Sequence, residues 1–245
     1  MKLLPRSYRY HFELIDSTSS YLKREYKSLK NFTFVSSDYQ TKGRGRNTRS
    51  WISDKNTNLL FSLFLKEEHL VNNFSSLSIL SAISVIKVLE RIGVQNLSLK
   101  WPNDVFVNDK KVSGILLEGI SENGVLDAII IGIGINVNQT NFNEGLLIDP
   151  TSVNIELNKK INLKSFKGKI YKQLLKDITN FINGDNKYIT LAKAYNYLKD
   201  KEVYASINNE RVKVKVLDIN EDNSLKVLFN DKIHNLISDE VTFHL

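Results

Sequence analysis

Hydrophobic periodicity changes character once along this 245-residue chain, near Lys199, and that change decides what the chain can fold into. Beyond it, Val203-Tyr-Ala-Ser-Ile, Val212-Lys-Val-Lys-Val, Leu225-Lys-Val-Leu-Phe and Val241-Thr-Phe all alternate at period two, the mark of half-buried strands. Asn208-Asn209 and Glu221-Asp-Asn-Ser supply turns. Four or five short strands without a helix predict a small β-barrel of the SH3-like kind. Before Lys199 both periods occur. Ser17-Thr-Ser-Ser opens a helix running to about Leu29, with Leu22, Tyr26 and Leu29 on one face. Leu77, Leu80, Ile83, Ser84 and Val88 predict a core helix from Ser75 to Arg91 that ends at Gly93. Two amphipathic helices are expected at Ser165 to Asn183 and Lys187 to Leu198. Strands are expected at Phe32 to Ser36, Asn58 to Leu65, Leu97 to Trp101, Asp104 to Asn108, Val112 to Glu118 and Leu126 to Val137. In the last of these, Gly132 and Gly134 bring backbone close to something. The fold class is α+β over residues 1–198, followed by a small all-β domain over 199–245.

The longest apolar stretch, Ala128 to Val137, is far short of the roughly 20 residues that a membrane span needs. The first twenty residues show no signal-peptide pattern, so a cytoplasmic protein with no membrane partner is expected. With 42% hydrophobic and 25% charged residues, a packed core rather than disorder is expected. Lys and Arg number 34 against 27 Asp and Glu. That excess suits a polyanionic partner, nucleic acid or a nucleotide's phosphates, or simply a solubilising surface, and charge alone does not separate these. No cysteine is present, which excludes disulfides, thiolate catalysis and Cys-ligated zinc. His11, His69, His234 and His244 are scattered without metal-ligand spacing, so no dedicated protein metal site is identified.

Three segments carry chemistry. In Gly43-Arg-Gly-Arg-Asn-Thr-Arg-Ser-Trp51, three arginines and two glycines make a flexible cationic loop. Guanidinium groups grip phosphate and carboxylate oxygens in pairs, and glycines let backbone N–H groups approach such anions. It is neither a Walker loop nor a dinucleotide fingerprint, and by itself it equally describes a loop for RNA phosphates. In Lys100-Trp-Pro-Asn-Asp104, a carboxylate beside apolar strands needs a partner. Lys111 opens Lys111-Val-Ser-Gly114-Ile-Leu-Leu-Glu118, placed to neutralise charge on a carboxylate or phosphate, whereas Lys110 reads as a solvated turn residue. Gly132-Ile-Gly-Ile-Asn136 sets an amide among small and apolar residues.

In order and spacing these segments, with Asp16-Ser17-Thr18 and Gln40, resemble the biotin–protein ligase family, the holocarboxylase synthetases and their bacterial relatives, over roughly residues 10–140. The resemblance implies a mixed sheet with flanking helices, related to class II aminoacyl-tRNA synthetases, plus a small SH3-like barrel. It implies an ATP-dependent ligase. Biotin's carboxylate attacks the α-phosphate of ATP, with Mg²⁺ carried by the nucleotide, giving biotinyl-adenylate. An acceptor lysine, on the biotin carboxyl carrier domain of acetyl-CoA carboxylase or a related carboxylase, then takes the biotinyl group. Carried over by position, Ser17, Thr18, Ser19, Gln40, Arg44, Gly45, Arg46, Lys111 and Gly114 are the expected biotin contacts, with Arg46 and Lys111 catalytic. Arg49, Trp51, Asn103, Asp104 and Asn136 fall on the adenylate side.

Thr48 departs from the glycine common at that point of the loop, and a β-branched residue stiffens the chain there. The catalytic pattern begins within the first twenty residues, so a ligase without a helix-turn-helix, without specific DNA binding and without repressor function is expected. A lipoate–protein ligase shares the adenylate chemistry, but Gly43-Arg-Gly-Arg46 and Lys100-Trp-Pro-Asn-Asp104 match the biotin branch. A non-catalytic nucleic-acid-binding protein would explain the arginine loop and leave Lys100 to Asp104 unexplained.

Overall fold

The computed structural model describes residues 4–46, 49–67, 70, 73–143, 148–207 and 210–237. The expected features at His69, His244, Asn208-Asn209, Thr48 and Val241 to Phe243 lie outside them.

Apolar, β-branched segments build a mixed seven-stranded sheet from β1 (Tyr8–Phe12), β2 (Thr33–Ser37), β3 (Leu59–Leu65), β4 (Leu97–Lys100), β5 (Asp104–Val107), β6 (Lys110–Glu122) and β7 (Val125–Ile135). Their order is β1-β2-β3-β7-β6-β5-β4. Only β1 and β2 run parallel; the other neighbours are antiparallel. The β6–β7 hairpin turns through Asn123 and Gly124, both left-handed with φ of 52° and 80°, the geometry that a tight primed turn demands. Asn108 and Asp109, with φ of 47° and 66°, make the expected turn between β5 and β6 in the same way. Strand β2 alternates in sequence, yet all five of its residues are buried. Its polar groups are satisfied locally: Thr33 Oγ1 donates to the Lys30 carbonyl at 2.6 Å and Ser37 Oγ to the Tyr39 carbonyl at 2.6 Å.

Strand periodicity sorts β7 onto two faces. Ile129, Ile131, Ile133 and Ile135 enter the large core under helix α2 (Phe74–Arg91), helix α4 (Leu163–Ile182) and helix α5 (Lys187–Ala194). Ala128 and Ile130 join Leu22, Val35 and Phe64 in a smaller core under helix α1 (Thr18–Glu25). Gly132 and Gly134 continue that second face, where the side chains stop. Ser17 caps α1 by accepting from Ser20 N–H at 3.4 Å. The helix ends near Glu25, earlier than expected, where Ser28 Oγ donates to the Glu25 carbonyl at 2.9 Å. Helix α5 also stops early. Residues Tyr195 and Tyr197 then bond Leu99 on both sides, with Leu99 N–H donating to Tyr195 O at 2.7 Å and Tyr197 N–H to Leu99 O at 2.9 Å, which covers the β4 edge. Strand β1 and the short helix α3 (Val153–Leu157) are not among the elements expected from sequence.

The tail forms an antiparallel sheet of β8 (Glu202–Ile207), β9 (Glu210–Ile219), β10 (Leu225–Phe229) and β11 (Lys232–Leu236), in the order β11-β10-β9-β8. Sequence periodicity marks three of these strands. The fourth follows a turn at Asn230 and Asp231, again left-handed. Asn223, in the β9–β10 turn, joins this sheet to the larger one. Its carbonyl accepts from Trp101 Nε1–H at 2.9 Å, its Oδ1 accepts from Tyr188 Oη–H at 2.9 Å, and its Nδ2–H donates to Ser76 Oγ at 2.9 Å.

Asn223→Ala leaves the Tyr188 and Ser76 hydroxyls buried without that partner, at a cost of about 1–3 kcal/mol each. Differential scanning calorimetry is expected to show a melting temperature lower by roughly 5–15 °C; a shift of less than about 1 °C would contradict the pinning role.

Candidate active site

The bare glycine face of the sheet is the floor of a cavity of about 210 Å³. Gly114 on β6 pairs with Gly134 on β7, and Leu116 pairs with Gly132. A Cβ on Gly132 would come within 2.9 Å of Ser19 Oγ, and one on Gly134 within 2.5 Å of Trp51 Cε2. A Cβ on Gly114 would meet Trp51 Cζ3 at 3.0 Å and Lys111 Nζ at 3.1 Å. These three glycines are therefore what lets α1, the Trp51 indole and Lys111 lie directly on backbone. The something that approaches Gly132 and Gly134 is Ser19 and Trp51.

Over Gly132 sits a cluster of hydroxyls and one amide. Thr18 Oγ1 lies 2.7 Å and Ser19 Oγ 2.9 Å from Ser62 Oγ, and Gln40 Oε1 accepts from Thr18 N–H at 2.7 Å and from Thr18 Oγ1–H at 3.1 Å. Asp16 fixes the start of α1 behind them. Its Oδ1 accepts from Ser17 N–H at 2.7 Å, and a hydrogen bond from Arg24 holds its carboxyl below the usual carboxylate range. Ser62 had not been singled out from sequence. Its signal is a lone hydroxyl inside the otherwise apolar Leu59-Leu-Phe-Ser-Leu-Phe-Leu strand.

Over Gly114 and Gly134 the cavity turns cationic. In the segment expected as a flexible loop, residues 43–46 lie antiparallel to residues 49–51, and these two stretches make a narrow hairpin arm. Gly45 N–H donates to Arg49 O at 2.7 Å, Trp51 N–H donates to Gly43 O at 3.0 Å, and Arg44 bridges Ser50. Gly43 is required there, because a Cβ would fall 2.3 Å from Trp51 O. Arg44 is held by the buried Glu118, whose Oε1 lies 2.9 Å from Arg44 Nη2 and 2.6 Å from Lys23 Nζ. Arg46 Nη1–H donates to Asn103 Oδ1 at 3.1 Å, while Asn103 Nδ2–H donates to Ile115 O at 2.9 Å. Lys111 Nζ lies 2.8 Å from Asp104 Oδ1, close enough for an ion pair at an angle that does not make a hydrogen bond, and 5.6 Å from the Trp51 ring centroid. The Trp51 indole N–H is buried without a hydrogen-bond partner among the described residues. Lys100 is buried at the end of β4, and burial pushes its amine below the usual lysine range.

The cavity wall thus includes Ser17, Thr18, Ser19, Gln40, Arg44, Gly45, Arg46, Arg49, Trp51, Asn103, Asp104, Lys111 and Gly114 together. Asn136 is not among the lining residues. Its backbone N–H donates to Val112 O at 2.9 Å and its side-chain Nδ2–H to Thr151 O at 3.0 Å, so it anchors the segment that precedes α3. Among the described residues, five cationic side chains and one carboxylate, Asp104, line the cavity. Such a site concentrates anions.

Fold and cavity together define an α+β protein with a cationic cavity on the glycine face of a mixed sheet. The pattern of the Biotin/lipoate A/B protein ligase family matches residues 11–136, just over half of the chain, and the chain belongs to that family. Among curated relatives it is 34% identical over 151 residues to the Bifunctional ligase/repressor BirA of Escherichia coli (strain K12), covering 59% of this chain and 47% of that protein. It is 31% identical over 192 residues to the Biotin--protein ligase of Schizosaccharomyces pombe, covering 68% of this chain and 29% of that one. The chain spans about half or less of the length of these relatives. The solved structure of biotin protein ligase from Aquifex aeolicus in complex with biotin and ATP superposes with a TM-score of 0.86 at 29% identity, covering 97% of this chain and 98% of that one.

Gly134→Ala forces the indole off its floor. Tryptophan emission is expected to shift to the red, while Gly168→Ala, with open space around its Cβ, leaves the spectrum unchanged. Identical emission maxima in both variants would contradict the close approach.

Proposed function

We propose that the chain is an ATP-dependent biotin–protein ligase, which forms biotinyl-adenylate and passes the biotinyl group to a lysine of a carrier domain. The observation that carries this reading is convergence. Cations from the hairpin arm and β6 meet, beside the β4–β5 turn, in one cavity whose neighbouring part is a hydroxyl–amide cluster. The two parts stand over Gly132 and Gly134, two residues or roughly 7 Å apart along β7. Donors and acceptors on Ser17, Thr18, Ser19, Gln40 and Ser62 suit a ureido ring, Leu60 and Leu116 suit an acyl chain, and the cations suit its carboxylate. The Aquifex ligase that superposes on this chain was solved with biotin and ATP.

The chemistry sets the charge requirement. A carboxylate repels a polyphosphate, so the attack on phosphorus needs cations that neutralise both. Arg46 and Lys111 take that role, with Arg49 and Trp51 on the adenylate side. Asn103 orients the Arg46 guanidinium, and Asp104 holds the Lys111 ammonium. The acyl-adenylate must then be kept from water. The hairpin arm, latched to Glu118 through Arg44, lies over the floor and supplies the cover. Mg²⁺ is assigned to the nucleotide, as the family resemblance implies. The acceptor is assigned to the biotin carboxyl carrier domain of a carboxylase, and the compartment to the cytoplasm. No described helix is long and apolar enough to cross a membrane. Residues 1–198 are read as the catalytic domain, and residues 199–245 as a small SH3-like domain for which the four antiparallel tail strands are the support.

Arg46→Ala and Lys111→Ala are expected to slow pyrophosphate release by about 10²–10³-fold with melting temperatures close to that of the parent protein. Near-normal rates in both would refute these roles. Offered radiolabelled biotin or lipoate with MgATP, the protein should label a biotin carrier domain from biotin. Label arriving from lipoate alone would overturn the substrate assignment.

A further inference from the structure

We propose that Lys100 is the polyphosphate ligand of this cavity, the ammonium on which the departing pyrophosphate is held. The inference rests on the ligase reading above and concerns a side chain to which that reading gives no task.

Lys100 lines the cavity with only 6% of its surface exposed. Its one recorded contact is with an aromatic face, its Nζ standing 5.2 Å from the Phe106 ring centroid. Among the described residues it has neither an ion pair nor a hydrogen bond from its ammonium. The charged groups that act on it are Asp104 from β5, Lys111 from β6, Arg49 from the hairpin arm and Lys201 from the segment before β8. Asp104 is the sole carboxylate of that set and already sits 2.8 Å from Lys111 Nζ. A buried cation without a counter-ion is expensive. Elsewhere the protein avoids this: buried Asp177 has Lys87 at 2.9 Å and Ser84 Oγ at 2.8 Å, and buried Glu118 has Lys23 and Arg44. Lys100 is left waiting for an anion.

Position names the anion. Lys111 takes the acyl carboxylate and α-phosphate, and Lys100 lies on the far side of Asp104 from it, across the Lys100–Asp104 register pair. A polyphosphate continuing from the α-phosphate reaches Lys100 and Arg49 next. In the adenylation step a biotin carboxylate oxygen forms a bond to the α-phosphorus. The bond from that phosphorus to the bridging oxygen breaks, and its electron pair leaves with pyrophosphate. Lys100 donates a hydrogen bond to the departing group and neutralises it, with no net proton transfer in the step.

Proton uptake follows. In the empty cavity burial keeps the Lys100 amine below the ordinary lysine range, with Lys111 and Arg49 pushing the same way against Asp104. An arriving polyphosphate reverses that balance, so nucleotide binding draws in a proton wherever the pH lies between the free and bound values.

The first measurement is biotinyl-adenylate formation by the wild-type protein; its failure would sink the ligase reading and leave Lys100 without a substrate to serve. Given a competent wild type, Lys100→Met is expected to raise the KM for ATP and lower the adenylation rate by at least about tenfold each, and to weaken inhibition by inorganic pyrophosphate. Transfer from supplied biotinyl-adenylate to a biotin carrier domain, which involves no polyphosphate, should fall far less. Lys100→Arg, which keeps the charge, should recover part of the ATP affinity. Equal losses in both half-reactions, or no loss in either, would overturn the proposal. Calorimetry of ATP binding to the wild-type protein, in buffers of different ionisation heat as the pH is raised toward the ordinary lysine range, should show proton uptake that grows with pH. No uptake over that rise in pH would also overturn it.

Discussion

Two neighbouring strands at the centre of the sheet carry no side chain on one face, at Gly114, Gly132 and Gly134, and the site is built on that gap. A sheet packed on both faces normally spends every inward position on core, as β7 does with its four isoleucines on the α2 side. On the other face the small core of Leu22, Val35, Phe64 and Ile130 ends where the glycines begin. Ser19, Trp51 and Lys111 rest on backbone because nothing stands between. Any larger residue at these positions meets one of them, so the cavity, the seat of the indole and the reach of the lysine share one cause.

Electrostatics completes what the glycines permit. The hairpin arm brings Arg46 and Arg49 over the floor, β6 brings Lys111, and the end of β4 brings Lys100. The arm is held at its base by backbone bonds across Gly43 and Gly45 and by the Arg44 to Glu118 ion pair. Asn103 and Asp104 hold two of the cations while leaving an excess of positive charge. That excess is uncomfortable in an empty site and appropriate in one where a carboxylate must be brought against a triphosphate.

Much of this was legible in the sequence. Long periodic segments such as Phe74–Arg91 and the apolar strands stand out because burial leaves a period in the sequence. The cavity residues lie in short segments that are ambiguous singly, and it is the resemblance of their order and spacing to the biotin–protein ligase family that joins them into one site. What stayed hidden depends on tertiary context. Strand β1, Tyr8-Arg-Tyr-His-Phe12, does alternate aromatic and basic residues, but it is an edge strand with none of its five residues fully buried, so the alternation does not mark a core face. The Asn123-Gly124 pair between β6 and β7 is a hairpin signal in its own right. The arginine segment reads as flexible because its glycines suggest freedom, whereas Gly43 is there to let two backbones touch. The Asn136 amide reads by itself as a structural hydrogen bond as readily as a ligand group, and only the resemblance puts it on the adenylate side; its partner, the Thr151 carbonyl, is distant in sequence.

The most direct test is native mass spectrometry of the protein after incubation with biotin and MgATP. The account predicts a non-covalent complex heavier than the free protein by the mass of biotinyl-adenylate, formed only when both substrates are present and lost on addition of a carrier domain. Separate binding of biotin and ATP with no adenylate after prolonged incubation would contradict it.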